Sequence, residues 1–199
     1  MLRQQARPVS PRPRAAVLAL LCSAALVGAA APRTPVAGPD GVWVERETAL
    51  MGTRLRIALE APGREAGFSA IEAAVAGVRA MDDVLSTWRE DTELAAVNNA
   101  VPKAQVLLSP RLSGILAEVW RWQLETGGAF DPAIGALVDA WDLRGKGRRP
   151  SPAELECARE ATGLGRFSFD EDARTMARAD GRSWIDAGGF GKGAALREA

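Results

Sequence analysis

The sequence predicts an α+β fold in which helices pack against strands. Two short stretches with alternating apolar residues, 42–48 and 54–59, are typical of half-buried strands. A helical repeat of apolar residues follows over residues 64–85, and a second pair of strand-like stretches occupies residues 166–170 and 175–178. The strands and helices are therefore predicted to belong to one globular domain, and the sequence shows no repeat at a fixed period.

The first two predicted strands flank Met51-Gly52-Thr53, and in the second of them apolar residues alternate with arginines. The helix predicted over residues 64–85 leads into Ser86-Thr87-Trp88. Its apolar positions recur at three- and four-residue steps, as expected for one buried face: Phe68, Ile71, Val75, Val78, Met81 and Leu85.

Three shorter helices follow along the chain. The first is predicted from a cap at Asp91 to about residue 98. The second begins at a Ser109 cap, keeps an apolar face as far as Leu124 and stops at Gly127-Gly128. The third begins at the capping box of residues 151–154, with proline at its first position, and ends near residue 163.

The end of the chain combines strands with a glycine-rich turn. Residues 166–170 and 175–178 are predicted to form a hairpin around Glu171-Asp172. Residues 183–186 are predicted to form a short strand, followed by a turn over residues 187–193 and the start of a helix.

The first 41 residues predict an export leader and a linker. Residues 1–14 carry four arginines and no acid, an apolar run follows over residues 15–31, and residues 32–41 are rich in proline and glycine. We therefore expect a signal peptide over residues 1–31 and a periplasmic protein. The alternatives are an uncleaved inner-membrane anchor and a lipoprotein at Cys22, which the bulky Leu21 disfavours.

The amino-acid composition limits the partners and the chemical groups that the protein can use. Lys and Arg total 25 and Asp and Glu total 25, so no basic excess would attract nucleic acid, and we predict no nucleic-acid partner. The sequence has no histidine and no tyrosine, which leaves carboxylates, hydroxyls, Lys, Arg and backbone groups for chemistry. Cys22 and Cys157 lie far apart, so neither a disulfide framework nor a cysteine zinc site is expected.

The strongest local motif is DAGGFGKG, residues 186–193. Its glycines allow close backbone approach, the helix that follows supplies free N–H groups, and Lys192 adds a positive charge, so the motif is suited to holding phosphate. It is not a Walker A loop, because Asp186 stands at the leading glycine position and Gly193 follows Lys192, and it lacks the spacing of a dinucleotide-binding glycine motif. The alternative is a turn whose glycines only permit packing. A basic run over residues 144–149 is predicted to be an exposed, solvated loop.

Two further clusters are candidates for ligand contacts. Asp131 follows the helix end at residues 126–130 and precedes a proline, so its carboxylate could bond a ligand or a cation. The alternative is that Asp131 caps the next helix. Ser86, Thr87 and Trp88 combine two hydroxyls with an indole that can stack on a flat ring, although such a group often lies at a core edge.

Four blocks in order, namely MGT, LSTWREDTEL with Asn98, TGGAFDPAIGALVDAW and DAGGFGKG, resemble the ApbE family of flavin transferases. The resemblance covers residues 42–199 and implies an ApbE-like fold of the T-fold type, a mixed sheet with packed helices. It also implies a magnesium-dependent enzyme that cleaves FAD, attaches FMN to a Thr or Ser hydroxyl of an exported redox protein, and releases AMP.

The resemblance also implies site residues, although it assigns no catalytic base. Met51, Ser86, Thr87 and Trp88 would surround the flavin or the adenylate end of FAD, which is the substrate. The carbonyl of Gly189 would be a ligand of Mg²⁺. The remaining residues implied for the FAD pocket are Ala129, Phe130, Asp131 and Lys192.

In that family the other metal ligands, an Asp and a Thr or Ser, follow the lysine-glycine motif. We therefore expect residues 42–199 to be the amino-terminal part of an ApbE-like domain, with its fold incomplete, and this chain to be an inactive fragment. Two other functions remain open: an exported FAD-binding protein without transferase activity, and a magnesium-dependent FAD pyrophosphatase.

Overall fold

The computed structural model describes residues 41–199, which belong to one compact unit. The predicted leader and most of the linker lie outside the described residues. Helices and strands share a common core, and the α+β prediction is confirmed. No helix within residues 41–199 has the length and apolar character needed to cross a membrane.

The first element is a β-hairpin of β1 (Val42–Leu50) and β2 (Thr53–Ala61). Its two-residue turn is Met51-Gly52, and both residues have positive φ, 50° and 66°. Positive φ at both turn positions matches the right-handed twist of the strands, which explains a tight hairpin here. The helix α1 (Arg64–Leu85) packs across the hairpin, as its apolar spacing predicts.

The remaining elements follow α1 along the chain. They are α2 (Glu93–Asn99), β3 (Val106–Leu107), α3 (Pro110–Glu125), α4 (Gly135–Ala140), α5 (Pro152–Glu160), β4 (Phe167–Asp170), β5 (Thr175–Arg178) and α6 (Gly191–Glu198). The strands β3, β5 and β4 form an antiparallel sheet in that order. Single 3-10 turns occupy Leu164–Arg166 and Ala187–Gly189.

Most predicted boundaries agree with the structure to within two or three residues. The predicted bounds of α1 are those observed, and the capping box of α5 is present, with Ser151 and Glu154 bonding each other's backbone amides. The helix α5 ends at Glu160, three residues before the predicted end. Two residues placed on buried faces are exposed: Phe68 is 37% exposed and Leu124 is 74% exposed.

Two local predictions were wrong. The cap of α2 is Thr92, whose hydroxyl accepts from the Ala95 amide at 3.1 Å, because Asp91 instead binds the Arg89 guanidinium at 2.9 Å. Residues 183–186 form no strand. Their backbone is extended but bonds to loops and side chains: the Asp186 amide donates to the Pro132 carbonyl at 2.9 Å.

Candidate active site

A cleft of about 700 Å³ opens where the hairpin turn, the end of α1, the segment after α4 and the glycine-rich turn meet. The hairpin turn lies close to α6, because a Cβ added to Gly191 would be 3.7 Å from Met51 Cε and 3.8 Å from Leu85 Cδ1. The nearest atom to that added Cβ is the Ala187 Cβ at 3.3 Å, so the room for a side chain at position 191 is limited. The cleft is within the range of volumes usual for small-molecule sites.

The structure brings five of the predicted site residues together at this cleft. Met51 comes from the hairpin turn, Ser86, Thr87 and Trp88 come from the exit of α1, and Lys192 comes from the first turn of α6. Trp88 is 73% exposed, so one of its faces is available for stacking. The ligand contacts expected of these residues stay predictions.

The other four predicted residues do not line this cleft. Both carboxylate oxygens of Asp131 are occupied: Oδ1 accepts from the Ala133 amide at 2.9 Å and Oδ2 from the Leu164 amide at 3.0 Å. Asp131 is also not the cap of α4, whose N-cap residue is Ile134 with no side-chain hydrogen bond. In this structure, Asp131 ties the start of the α4 segment to the loop after α5.

Phe130 and Gly189 lie against each other outside the lining of the cleft. A Cβ added to Gly189 would be 3.3 Å from Phe130 Cε2, and Phe130 packs edge-on against Trp122 with ring centroids 6.1 Å apart. Ala129 is exposed. The aromatic ring of Phe130 thus supports the glycine-rich turn, while its predicted contact with FAD stays a prediction.

The glycine-rich turn leads directly into α6, which begins at Gly191 rather than after Gly193. The N-cap residue is Phe190, which makes no side-chain hydrogen bond to the helix. Amide groups at the start of a helix have no partner within it and carry a partial positive charge. The start of α6 and the Lys192 side chain therefore present positive charge to the cleft.

Three cations and two carboxylates line the cleft: Arg89, Arg144, Lys192, Asp82 and Asp186. Arg89 is bound by Asp83 at 2.6 Å and by Asp91 at 2.9 Å, and these hydrogen bonds raise its pKa. The hydrogen bond from Arg89 in turn lowers the pKa of Asp91. Lys192 makes no ion pair with any residue in the range 41–199, so its charge is available to an anion.

Sequence reasoning missed Arg144, which was assigned to a solvated loop. Its side chain is 31% exposed and reaches into the cleft, where it binds Thr87. Its neighbours fit the prediction better: Lys146 and Arg149 are exposed, and Arg148 pairs with Glu154 at 2.8 Å on the surface. Nothing in the local pattern distinguishes Arg144 from these three residues.

The described residues supply few ligands for magnesium. Residues 41–199 contain no group of three or more Asp, Glu, His or Cys side chains placed to hold a metal ion. The carboxylates of Asp82 and Asp186 line the cleft, and Gly189, whose carbonyl is the expected ligand, lies outside its lining. Magnesium prefers six oxygen ligands and often takes several from waters and phosphates. These residues do not form a magnesium site by themselves.

A second cleft of about 840 Å³ adjoins the first and lies between the hairpin and α1. Both clefts are lined by Met51, Gly52, Asp82 and Arg89. The second cleft contains neither the glycine-rich turn nor Trp88. The first cleft, which contains both of these features, is therefore the better candidate for a nucleotide site.

The family model that describes the ApbE family matches residues 51–199. The chain belongs to the ApbE family. Among curated proteins, FAD:protein FMN transferase of Salmonella typhimurium is 31% identical over 144 residues, which cover 67% of this chain and 39% of that protein. FAD:protein FMN transferase of Chlamydia muridarum is 29% identical over 117 residues, which cover 58% of this chain and 37% of that protein.

Solved structures of ApbE proteins share the fold. The flavin transferase ApbE from Vibrio cholerae superposes with a TM-score of 0.70 at 23% identity, covering 79% of this chain and 52% of that one. The ApbE protein from Thermotoga maritima gives a TM-score of 0.71 at 26% identity, covering 78% and 50%. The chain thus spans less than half the length of the two curated relatives and about half of these solved chains.

Proposed function

We propose that this chain carries the FAD-binding part of a flavin transferase that moves FMN from FAD to a Thr or Ser hydroxyl of an exported redox protein. The observation that carries the proposal is the cleft itself. Trp88 there offers a stacking face, while Lys192 and the start of α6 offer unpaired positive charge. Family membership and the curated relatives, which are FAD:protein FMN transferases, support the same activity.

In the proposed reaction the acceptor hydroxyl attacks the phosphorus of the FMN half of FAD. A phosphoester bond forms between that phosphorus and the acceptor oxygen, and the bond from the phosphorus to the bridging oxygen of the diphosphate breaks. AMP leaves with the bridging oxygen, and the hydroxyl proton passes to solvent or a base. Such a transfer depends mainly on positioning and on neutralising charge. Lys192 and the amides of α6 would hold the diphosphate, and Trp88 would hold a flat ring beside it.

Magnesium dependence is part of the proposal, on the strength of the resemblance. The Gly189 carbonyl would be one ligand, and phosphate oxygens of FAD would be others. Bound there, the ion would neutralise charge on the diphosphate. The acceptor protein is proposed only by class, as an exported redox protein with a Thr or Ser at the modified position.

Export to the periplasm is also a proposal, with the inner-membrane anchor as its alternative. It rests on the arginines of residues 1–14 and the apolar run of residues 15–31, which lie outside the described residues. Amino-terminal sequencing of protein from the periplasmic fraction tests it. A mature chain starting near residue 32 is expected, and an intact start in the cytosolic fraction would contradict export.

The test of the activity uses the intact protein with FAD, MgCl₂ and an exported redox subunit that bears a Thr acceptor. The expected result is AMP release together with flavin fluorescence on the acceptor after denaturing electrophoresis. FAD binding without AMP release would instead indicate the binding protein, and AMP release without acceptor would indicate the pyrophosphatase. Addition of EDTA should abolish transfer, and full transfer in EDTA would refute the magnesium dependence.

Lys192→Ala tests the site. Losing one charge-assisted contact to the diphosphate should weaken FAD binding about tenfold, measured by calorimetry. The matched control is Lys146→Ala, which removes an exposed lysine that does not line the cleft. Equal FAD affinity in the two variants and the unaltered protein would remove Lys192 from the site.

A further inference from the structure

Arg144, which lines the cleft, connects segments that are distant in the sequence. Its Nη1 donates to the Thr87 carbonyl at 2.5 Å and its Nη2 donates to Thr87 Oγ1 at 2.7 Å. The same Nη2 lies 3.9 Å from Asp186 Oδ1, and the Thr87 hydroxyl donates to that oxygen at 3.4 Å. One guanidinium therefore links the exit of α1 to the residue that begins the glycine-rich turn.

The same guanidinium contacts two indoles. Its central carbon lies 4.2 Å from the ring centroid of Trp184 and 5.1 Å from that of Trp88. A cation at such distances over an indole face is attracted by the ring's electron density. Arg144 thus connects the two tryptophans through one planar, charged group.

The two tryptophans differ in how firmly they are held. Trp184 Nε1 donates to Asp139 Oδ2 at 2.7 Å, and Gly135 lies so close that an added Cβ would be 1.9 Å from Trp184 Cδ2. Trp88, in contrast, is 73% exposed. Trp184 is therefore the more firmly held of the two indoles. Arg144, which contacts both rings, places Trp88 relative to Trp184.

We propose that Arg144 is a positioning residue of the FAD site, which holds Thr87 and Trp88 so that the Trp88 ring presents one fixed face to a flat ring of the dinucleotide. This inference rests on the proposed function. A planar guanidinium suits the task because it can donate two hydrogen bonds to Thr87 while stacking on indoles. A lysine ammonium has the charge but cannot make both kinds of contact in this geometry.

Arg144 acts through Trp88 rather than by direct contact with phosphate. Its two terminal nitrogens are engaged by Thr87 and Asp186, and its central carbon lies close to two indole rings. Lys192, which has no ion pair within the described residues, is the cation left for the diphosphate. Removing Arg144 should therefore cost affinity only where Trp88 is present to be positioned.

A double-mutant cycle on the intact protein tests this, with FAD affinity measured by calorimetry. Arg144→Ala and Trp88→Ala should each weaken FAD binding about tenfold. The double variant should bind no more weakly than Trp88→Ala alone, since groups that act as one unit are not additive. Arg149→Ala, an equal loss of charge at an exposed site in the same loop, should leave the affinity unchanged.

The outcomes separate the inference from the proposed function. If the unaltered protein takes up no FAD, both are overturned. If it binds FAD and Arg144→Ala binds equally well, or if the two losses add in the double variant, only the positioning role is overturned. Full affinity in Arg144→Lys would also overturn it, since charge alone would then suffice. Should circular dichroism show that Arg144→Ala is unfolded, Arg144→Lys takes its place in the cycle, and non-additivity with Trp88→Ala supports the role.

Discussion

Asn98 makes two hydrogen bonds that hold the segment in front of the glycine-rich turn, and replacing it with alanine should destabilise the protein strongly. Its Nδ2 donates to the Ile185 carbonyl at 2.9 Å and its Oδ1 accepts from the Ile185 amide at 2.9 Å. Asn98 is 8% exposed and Ile185 is fully buried. One side chain thus satisfies both backbone groups of a residue that has no strand partner.

The magnitude follows from what Asn98→Ala leaves behind. A buried backbone group that loses its partner costs about 1–3 kcal/mol, so two such groups on Ile185 cost about 2–6 kcal/mol. A water molecule entering the space of the lost amide would place the cost at the lower end. Because a domain is stable by about 5–15 kcal/mol, the variant should lose a large fraction of its stability.

Urea denaturation followed by circular dichroism measures the change. The matched control is Asn99→Ala, at the neighbouring exposed position, which should change the free energy of unfolding by less than about 0.5 kcal/mol. Asn98→Asp keeps the size and an acceptor but loses the donor to Ile185, so it should also be destabilised. If Asn98→Ala and Asn99→Ala unfold at the same urea concentration, the two hydrogen bonds do not stabilise the fold and the reasoning is refuted.

Two further variants test the packing of the site and the capping of α5. Gly135→Ala should lower the free energy of unfolding in urea by about 1–3 kcal/mol, because its Cβ would overlap the Trp184 indole. The control Gly114→Ala, in open space on an exposed helix face, should raise it by up to about 1 kcal/mol. Equal stability of the two variants would contradict this. Hydrogen bonds from Ser151 lower the pKa of Glu154 from 4.5 to about 2. Its ionised form therefore stabilises the fold above pH 4.5, and that contribution is lost as the pH falls towards 2. Glu154→Gln should flatten the dependence of unfolding on pH between 5 and 2, and an unchanged slope would count against the cap.

Several elements could be predicted because their cause is local in the sequence. The apolar spacing of α1 gave its bounds, since a repeat of three and four residues defines one helical face. The capping box at Ser151 and the cap at Ser109 fixed helix starts through hydrogen bonds to residues three positions on. The strands on either side of Met51-Gly52 were predicted from their alternation, whereas their pairing as a hairpin is seen only in the structure.

The candidate site was predictable only in part. The glycine-rich turn with Lys192, and the hydroxyl and indole groups of Ser86, Thr87 and Trp88, could be found as short motifs and through the family resemblance. The structure places these residues around one cleft. Arg144 could not be found in this way, because its hydrogen-bond partner Thr87 lies 57 residues away in the sequence and its ion-pair partner Asp186 lies 42 residues away.

The sequence by itself therefore determined most of the helices and strands and the short motifs, because periodicity, caps and turns act over a few neighbouring residues. The tertiary structure alone decided which polar groups meet across long distances in the chain. Asp131 accepts a hydrogen bond from the Leu164 amide and does not line the cleft. Asn98 takes the place of a strand partner for Ile185, and Arg144, unlike the other basic residues of its loop, binds Thr87. Each of these pairings satisfies a buried or half-buried polar group, and which partner is within reach depends on how the whole chain packs.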